Sequence, residues 1–329
     1  MEIGRMYCRF FGFRSPPFDS SPDPAFFFKT PDHEEALASL RYAVEHRKGF
    51  VLLTGEVGAG KTLLSRVLLE RLRPGTRTAV ITNTHLSAAE LLWSLCREFG
   101  LPVRDSASQA ELIEALEDFL LDGYANGKDA VVVLDEAQNL PLESLEQVRM
   151  LGNLEAHDAK LVQILILGQP ELRRRFAQLR QRIFRAFHLV GLNRQQTAEY
   201  IRHRLAVAGG TGKVSFAPEA IALIHQSAQG LPRGINQLCD NALLTAYARS
   251  QRCVTAEIVQ TVIDEMQQLD GSASDDDGAA RAQPSAAEPA ASQPPGQLHS
   301  HLEDSQQRLA EISERLEQVG SVAGRLDEL

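Results

Sequence analysis

The chain has 329 residues, 43% of them apolar and 23% charged, enough for two compact units and a tail. Its formal charge of −9 is uneven: residues 271–329 hold eleven acidic and four basic residues, which leaves residues 1–270 near neutral. That balance excludes a general electrostatic pull on nucleic acid or anionic lipid, and no apolar run approaches the ~20 residues needed to span a bilayer. The cysteines Cys8, Cys96, Cys239 and Cys253 show neither CxxC spacing nor a histidine at metal-ligand distance. They read as thiols of a reducing compartment. "MEIGRMYCRFFGF" lacks the apolar run of a signal peptide, so a cytoplasmic protein is expected.

Residues 1–31 are rich in Phe and Pro. Proline pairs and turn residues argue against a regular helix or strand, and so much Phe predicts an ordered arm packed on the first domain. From Asp32 the pattern changes. "DHEEALASLRYAVEH" predicts a helix capped by Asp32. "FVLLTG" at 50–55 is a buried strand, followed by the helix "KTLLSRVLLERL", the strand "TAVITN", and helices over 87–100 and 109–127. "AVVVLDEA" at 130–137 is a third strand, 142–155 a helix, and "LVQILILG" at 161–168 a fourth strand. Alternating strands and helices predict an α/β domain over 32–191 with a mostly parallel sheet.

Six arginines fall between Arg173 and Arg185. Leu172, Phe176, Leu179, Ile183 and Phe187 share one face at helical spacing, so this stretch reads as a helix with a buried stripe. Arg175 and Arg182 flank that stripe and Arg185 faces away from it, which weakens a uniform nucleic-acid patch. Four helical stretches then form a small domain over 192–269. Residues 270–297, made mostly of Asp, Ala, Ser, Pro and Gly, read as a flexible linker. Over 298–329, Leu302, Leu309, Leu316 and Ala323 recur every seven residues, with Ile312, Val319 and Leu326 between them. This is either a short coiled coil or an amphipathic helix docked on its own domain.

The chemistry concentrates in two motifs. "GEVGAGKT" matches G-x-x-x-x-G-K-[ST] between a strand and a helix, the Walker A pattern. Its residues Gly55, Glu56, Val57, Gly58, Ala59, Gly60, Lys61 and Thr62, with Leu63, present backbone amides and a helix N-terminus to phosphate oxygens. Lys61 adds a cation at the β- and γ-phosphates, and the Thr62 hydroxyl suits Mg2+. "VVVLDE" ends a buried strand in two carboxylates: Asp135 to hold Mg2+ and Glu136 to polarise the attacking water.

Walker A, Walker B and a helical domain together resemble the AAA+ ATPases. The stretches "MYCRFFGFRSPPFDSSPDPAFFFKTPDHEEAL", "VVVLDEAQNL", "ILILGQPEL", "LRQRI" and "GLPRGINQLCDNALL" look like the ExeA-type ATPases of the general secretion pathway over residues 6–268. "KTLLSR" and "YIRHRLAVAG" look closer to the ATPase of MSHA pilus biogenesis. The resemblance implies a P-loop sheet with an all-helical lid, ATP and Mg2+ as ligands, and a nucleotide-dependent homo-oligomer, such as a ring, working with pilus or secretion proteins. It places Gln169 at the sensor that touches the γ-phosphate and Arg233 at the lid arginine that contacts nucleotide in the same subunit. Arg182 becomes the finger supplied to a neighbour, with Arg185 as fallback and Arg175 pairing across the interface. Asn83 is implied to restrain Glu136, with His33 and Glu34 approaching the base. The membrane-anchored relatives carry a transmembrane helix and a peptidoglycan-binding domain after the lid. Here the linker and helical tail stand in that place, so action from the cytoplasm, or at the inner membrane through partners, is expected.

Two other readings remain. One is a DNA-acting AAA+ ATPase, such as a transposition or replication regulator, supported by the arginine run and opposed by the acidic tail and the lack of aromatic–basic interleaving. The other is a nucleotide-switched scaffold with negligible hydrolysis, opposed by the complete set Lys61, Thr62, Asp135 and Glu136.

Overall fold

Strand β1 (Phe50–Gly55) is buried along its whole length, which requires cover on both faces. The computed structural model, which describes residues 3–157, 159–175, 182–210 and 212–274, supplies that cover. The strands β2 (Arg77–Ile81), β3 (Ala130–Leu134), β6 (Gln163–Gly168) and β7 (Ile183–Leu189) join β1 in one sheet of order β2-β3-β6-β1-β7. All its pairings are parallel. Two short strands, β4 (Glu155–Ala156) and β5 (Ala159–Lys160), form a separate antiparallel pair.

Side-chain alternation divides the sheet's neighbours into two cores. Phe50, Leu52, Val132, Leu134, Ile164 and Ile166 face α4 (Ala88–Glu98), α5 (Gln109–Ala125) and α6 (Leu142–Leu151). Val51, Leu53, Val131, Val133, Leu165 and Leu167 face α2 (Pro31–Glu45) and α3 (Lys61–Glu70). The helices start where local chemistry directs. Ser87 with Glu90, and Ser108 with Glu111, form complete capping boxes on α4 and α5. On α2 the cap is Thr30, with Pro31 in the first turn, rather than the expected Asp32.

A third core is built by α8 (Arg194–Val207), α9 (Pro218–Ala228), α10 (Pro232–Ala248) and α11 (Ala256–Ser274), whose parallel strand pair is β8 (Ser215–Phe216) and β9 (Cys253–Val254). Apart from Ser274, the described residues belong to one compact unit, residues 1–273. Helix α11 runs five residues into the stretch expected as linker. The rest of that linker and the heptad-patterned tail lie outside the described residues.

Two expectations are corrected. The arm contains a helix, α1 (Ile3–Phe11), and its aromatic residues pack mainly on the helical domain. Tyr7, Cys8, Phe11, Phe13, Phe18 and Phe26 join Leu192, Tyr200, Ile201 and Leu238 in that core, while Phe27 alone of the buried arm aromatics packs with the sheet. Tyr7 donates to Asp240 at 2.7 Å, and Phe10 meets Tyr247 edge-on. The second correction concerns the arginine run. Helix α7 is described only over Leu172–Arg175, and Ile183–Leu189 is the fifth strand, an edge strand pairing with β1. Ile183 and Phe187 therefore share a strand face. Phe176 and Leu179 lie outside the described residues.

Candidate functional site

The loop between β1 and α3 leaves the carboxyl end of the sheet, where ligands of open α/β sheets bind. Gly58 and Gly60 adopt left-handed conformations, φ 82° and 96°. At Gly58 a further demand applies: a β-carbon there would lie 2.5 Å from Cβ of Arg233, and the Arg233 amide donates to the Gly58 carbonyl at 3.3 Å. The first turn of α10 thus rests directly on the phosphate loop.

Lys61, at the start of α3, is buried, and its Nζ donates to the carbonyls of Gly55 at 2.8 Å and Glu56 at 3.0 Å. Burial lowers its pKa, opposed by the carboxylates of Glu136, Asp135 and Glu56. The Thr62 hydroxyl donates to Asp135 Oδ2 at 2.5 Å, and Asp135 Oδ1 accepts from the Glu136 amide at 2.9 Å. A hydroxyl and a carboxylate so placed are hard oxygen donors suited to Mg2+. Among the described residues no cluster of three His, Cys, Asp or Glu side chains could hold a metal alone. A Mg2+ held there would need further oxygen ligands, such as phosphate oxygens and waters.

Glu136 follows β3 in a left-handed conformation, φ 49°, that a non-glycine residue rarely adopts. The Thr84 hydroxyl holds its carbonyl at 2.7 Å. Its carboxylate accepts from Gln138 Nε2 at 2.6 Å, and Gln138 Oε1 accepts from the Gln169 amide at 3.2 Å.

These groups open into a cavity of about 340 Å3 lined by the loop residues Val57, Gly58, Gly60 and Lys61, with Thr62 and Glu136. Arg233 and Asn236 of α10 close one side. The arm segment Asp19–Asp23 closes another, with Tyr200 and Arg204 of α8 behind it. Arg204 is buried and uses carbonyl partners: Nε on Pro17 and Nη2 on Asp19 at 3.2 Å. Its guanidinium lies over the Phe26 ring at 4.5 Å. Arg66 of α3 holds the Pro22 carbonyl at 2.9 Å from the sheet side. The arm is therefore pinned to both the helical domain and the α/β domain at the cavity wall.

The expected site residues Val57, Gly58, Gly60, Lys61, Thr62, Leu63, Glu136 and Arg233 all line this cavity, with Asp135 attached through Thr62. Five others sit elsewhere. Asn83 caps its own turn, accepting from the His85 amide at 3.2 Å, and lines a separate cavity beside Trp93. His33 is buried against Thr30 Oγ1 at 2.6 Å and the edge of Phe27, and Glu34 borders a pocket with Arg41. Arg185 pairs with Glu35 at 3.2 Å. Arg182, exposed, immediately precedes β7, and the Ile183–Phe50 and Leu189–Gly55 pairs set its position. It stands at the amino edge of the sheet, roughly 20 Å along the strand from the phosphate loop, beyond the reach of its own site. There it adds to the lowering of the Glu146 and Glu155 carboxyls, which Arg149 and Lys160 respectively dominate. The side chain of Arg175 lies outside the described residues. Gln138, Thr84, Arg204 and the arm wall were not expected from sequence. Only Gln138, two residues beyond the acidic pair, carried a usable signal.

Residues 44–176 match the AAA domain family. Over 259 residues, 77% of its length, the chain is 44% identical to general secretion pathway protein A of Aeromonas hydrophila, and it spans about half the length of that relative, 47%. Among solved structures it is similar to the Aeropyrum pernix ORC2 protein, with TM-score 0.59 and 18% identity over 77% of this chain and 72% of that one. It also resembles the Thermotoga maritima RuvB branch migration motor, with TM-score 0.51 and 16% identity over 72% and 70%. At such identities these two share the fold. Among the described residues no helix is long and apolar enough to cross a membrane, and the resemblance to an MSHA pilus ATPase has no counterpart among these relatives. The phosphate loop and the acidic strand end lie in a P-loop AAA domain matched over residues 44–176, and over 77% of its length the chain is similar to general secretion pathway protein A.

Proposed function

We propose that the protein is a cytoplasmic ATPase that hydrolyses ATP at subunit interfaces to drive or time assembly of a pilus or a type II secretion-like machine. The observation that carries this reading is the convergence of Lys61, Thr62, Asp135, Glu136 and Arg233 on one cavity of about 340 Å3. Amides of residues 58–62 and the α3 N-terminus bind the phosphates. Lys61 leaves its loop carbonyls for the β- and γ-phosphates, and Thr62 and Asp135 hold Mg2+, which supplies neutralisation of phosphate charge. Glu136 takes the proton of the attacking water, Gln169 orients the γ-phosphate, and Arg233 reports occupancy to the helical domain. Arg182, too far from its own loop, stabilises transition-state charge on a neighbour's nucleotide. Secretion or pilus partners are proposed from the name of the Aeromonas relative.

The test is Glu136→Gln. It should retain Mg-ATP with near wild-type affinity, lose hydrolysis by about 100-fold or more, and stabilise oligomers. An unchanged hydrolysis rate contradicts the assigned base. DNA is the alternative effector: hydrolysis stimulated by DNA with a steep salt slope would favour a DNA-acting protein. Against it, the arginines of the run with described side chains do not share a face. Arg173 reaches Thr54, Arg182 the opposite sheet edge, and Arg185 pairs with Glu35.

A further inference from the structure

The edge strand β7 breaks its ladder with β1 once. Ile183 pairs with Phe50 and Arg185 with Val51, so Phe184 is an extra residue, a β-bulge. A bulge re-aims the side chain it carries. Phe184 is turned onto the end of α2, its ring 6.1 Å from that of Tyr42 and nearly parallel to it, at 22°. Tyr42 in turn stacks on His46, the residue that caps α2, at 3.9 Å. Phe184 and Tyr42 are 40% and 46% exposed. Edge strands are ordinarily blunted by charge or cover, so an aromatic cluster left open on one marks a surface for another chain.

The surroundings select the partner. Glu45 is neutralised by Arg41 and Glu35 by Arg185, each at 3.2 Å. Lys48 Nζ lies 6.0 Å from the Phe184 ring centre, and among the described residues neither Lys48 nor Arg182 makes a salt bridge. The rings thus lie beside two cations. At the opposite, carboxyl edge of the same sheet the charge is reversed. Glu56 is exposed on the phosphate loop, with exposed Val57 and Val190 next to the paired residues Gly55 and Leu189. Bound phosphates would add to that negative charge. Arg182 stands two residues before Phe184, roughly 7 Å along a strand. An Arg182 that reaches a neighbour's phosphates therefore carries Phe184 and Tyr42 onto that neighbour's valines.

We propose that the Tyr42–Phe184 face docks on a second copy of this chain, against Val57 and Val190 beside its phosphate loop. The choice of partner rests on the ATPase reading above, through Arg182; the exposed cluster does not. The two surfaces lie at opposite sheet edges, so the contact is head-to-tail: each copy offers its aromatic face to one neighbour and its loop to another. Apolar burial holds the copies together, Lys48 complements Glu56, and Phe184 sets where Arg182 enters.

Sedimentation velocity of the full chain with Mg-ATPγS tests this without hydrolysis. Wild type should assemble beyond dimers. Phe184→Asp and Val190→Asp should each weaken association roughly 10-fold or more, as expected for a charge placed in the centre of an apolar contact. Tyr42→Glu, on a helix, should match Phe184→Asp, and Phe184→Tyr should keep assembly. ATPγS affinity of Phe184→Asp, at dilutions where the copies are separate, should equal that of wild type, which a folding defect would not allow. An equimolar mixture of Phe184→Asp and Val190→Asp should give dimers and nothing larger, because one intact pair of surfaces remains. A wild type that stays monomeric, a Phe184→Asp that assembles as wild type does, or a mixture without dimers overturns the docking. Normal assembly of Val190→Asp overturns the head-to-tail contact. The two readings fail separately. If hydrolysis needs Arg182 from a neighbour while assembly ignores Phe184, the surface falls and the ATPase reading stands. If the copies assemble as described but do not hydrolyse ATP, the reverse holds.

Discussion

Replacing Phe11 by alanine removes the centre of the contact between arm and helical domain. Phe11 is fully buried, and its ring lies within 4.8 Å of the Phe10 centroid, 5.7 Å of Phe13 and 6.5 Å of Tyr7. Truncation of such a side chain forfeits its transfer energy and leaves a cavity, together about 3–5 kcal/mol. The neighbours cannot easily collapse into the gap. Phe13 is itself wedged where a β-carbon on Gly210 would come within 1.9 Å of its ring, and Tyr7 is fixed by Asp240. The upper part of the range is therefore expected, in urea denaturation of the full chain followed by fluorescence and circular dichroism. Phe11→Leu should cost about 1–1.5 kcal/mol, and Leu142→Ala, at a side chain 66% exposed, should stay within about 0.5 kcal/mol. Because the arm walls the cavity, Phe11→Ala should also weaken nucleotide binding, whereas Leu142→Ala should not. A loss below about 1 kcal/mol in Phe11→Ala would refute the packing of the arm on the helical domain.

Two further perturbations probe the site and its supports. Gly58→Ala adds strain of about 1–2 kcal/mol from the left-handed backbone and drives a methyl into Cβ of Arg233. Calorimetry should show nucleotide affinity reduced at least 10-fold; Arg233→Ala, which keeps the Cβ, should not restore it, and Arg233→Gly should do so in part. The second concerns pH: burial lowers the His33 pKa from its ordinary 6.5, with Asp32 opposing. The unfolded state then binds more protons, so the His33 contribution is full above about pH 6.5 and is lost as pH falls from there toward the folded pKa. Stability curves of wild type and His33→Gln should converge across that acid window, and parallel curves would contradict the buried neutral ring.

Much of the site was legible because its chemistry is local in sequence. Gly55 to Thr62 forms one turn, and Asp135 and Glu136 end one buried strand, so spacing alone brought phosphate loop and acidic pair to the same sheet edge. The central strands were equally plain, since burial on both faces leaves continuous apolar runs. The edge strand was not. Ile183 and Phe187 lie four residues apart, which fits a strand of period two as well as a helix of period 3.6, and an edge strand tolerates the arginine between them. The arm was misread for a different reason: the turn residues of 14–24 outweighed the short helix before them, whose Tyr7, Cys8 and Phe11 form its buried face. Arg204 under the arm could not be found by spacing, and of the Gln138 contacts only the one to Glu136 could, because the partners at Pro17 and Gln169 come from distant segments.

The central claim is that a site completed by a second copy hydrolyses ATP, with Arg182 supplied across the interface. The direct measurement mixes Arg182→Ala with Glu136→Gln and follows phosphate release at concentrations where the protein assembles. Each variant alone should bind Mg-ATP and be nearly inactive. In the mixture, the Glu136→Gln copies lend Arg182 to the intact sites of the Arg182→Ala copies, and activity should recover to a substantial fraction of wild type. Full activity of Arg182→Ala alone, or a mixture no more active than its parts, would contradict the account.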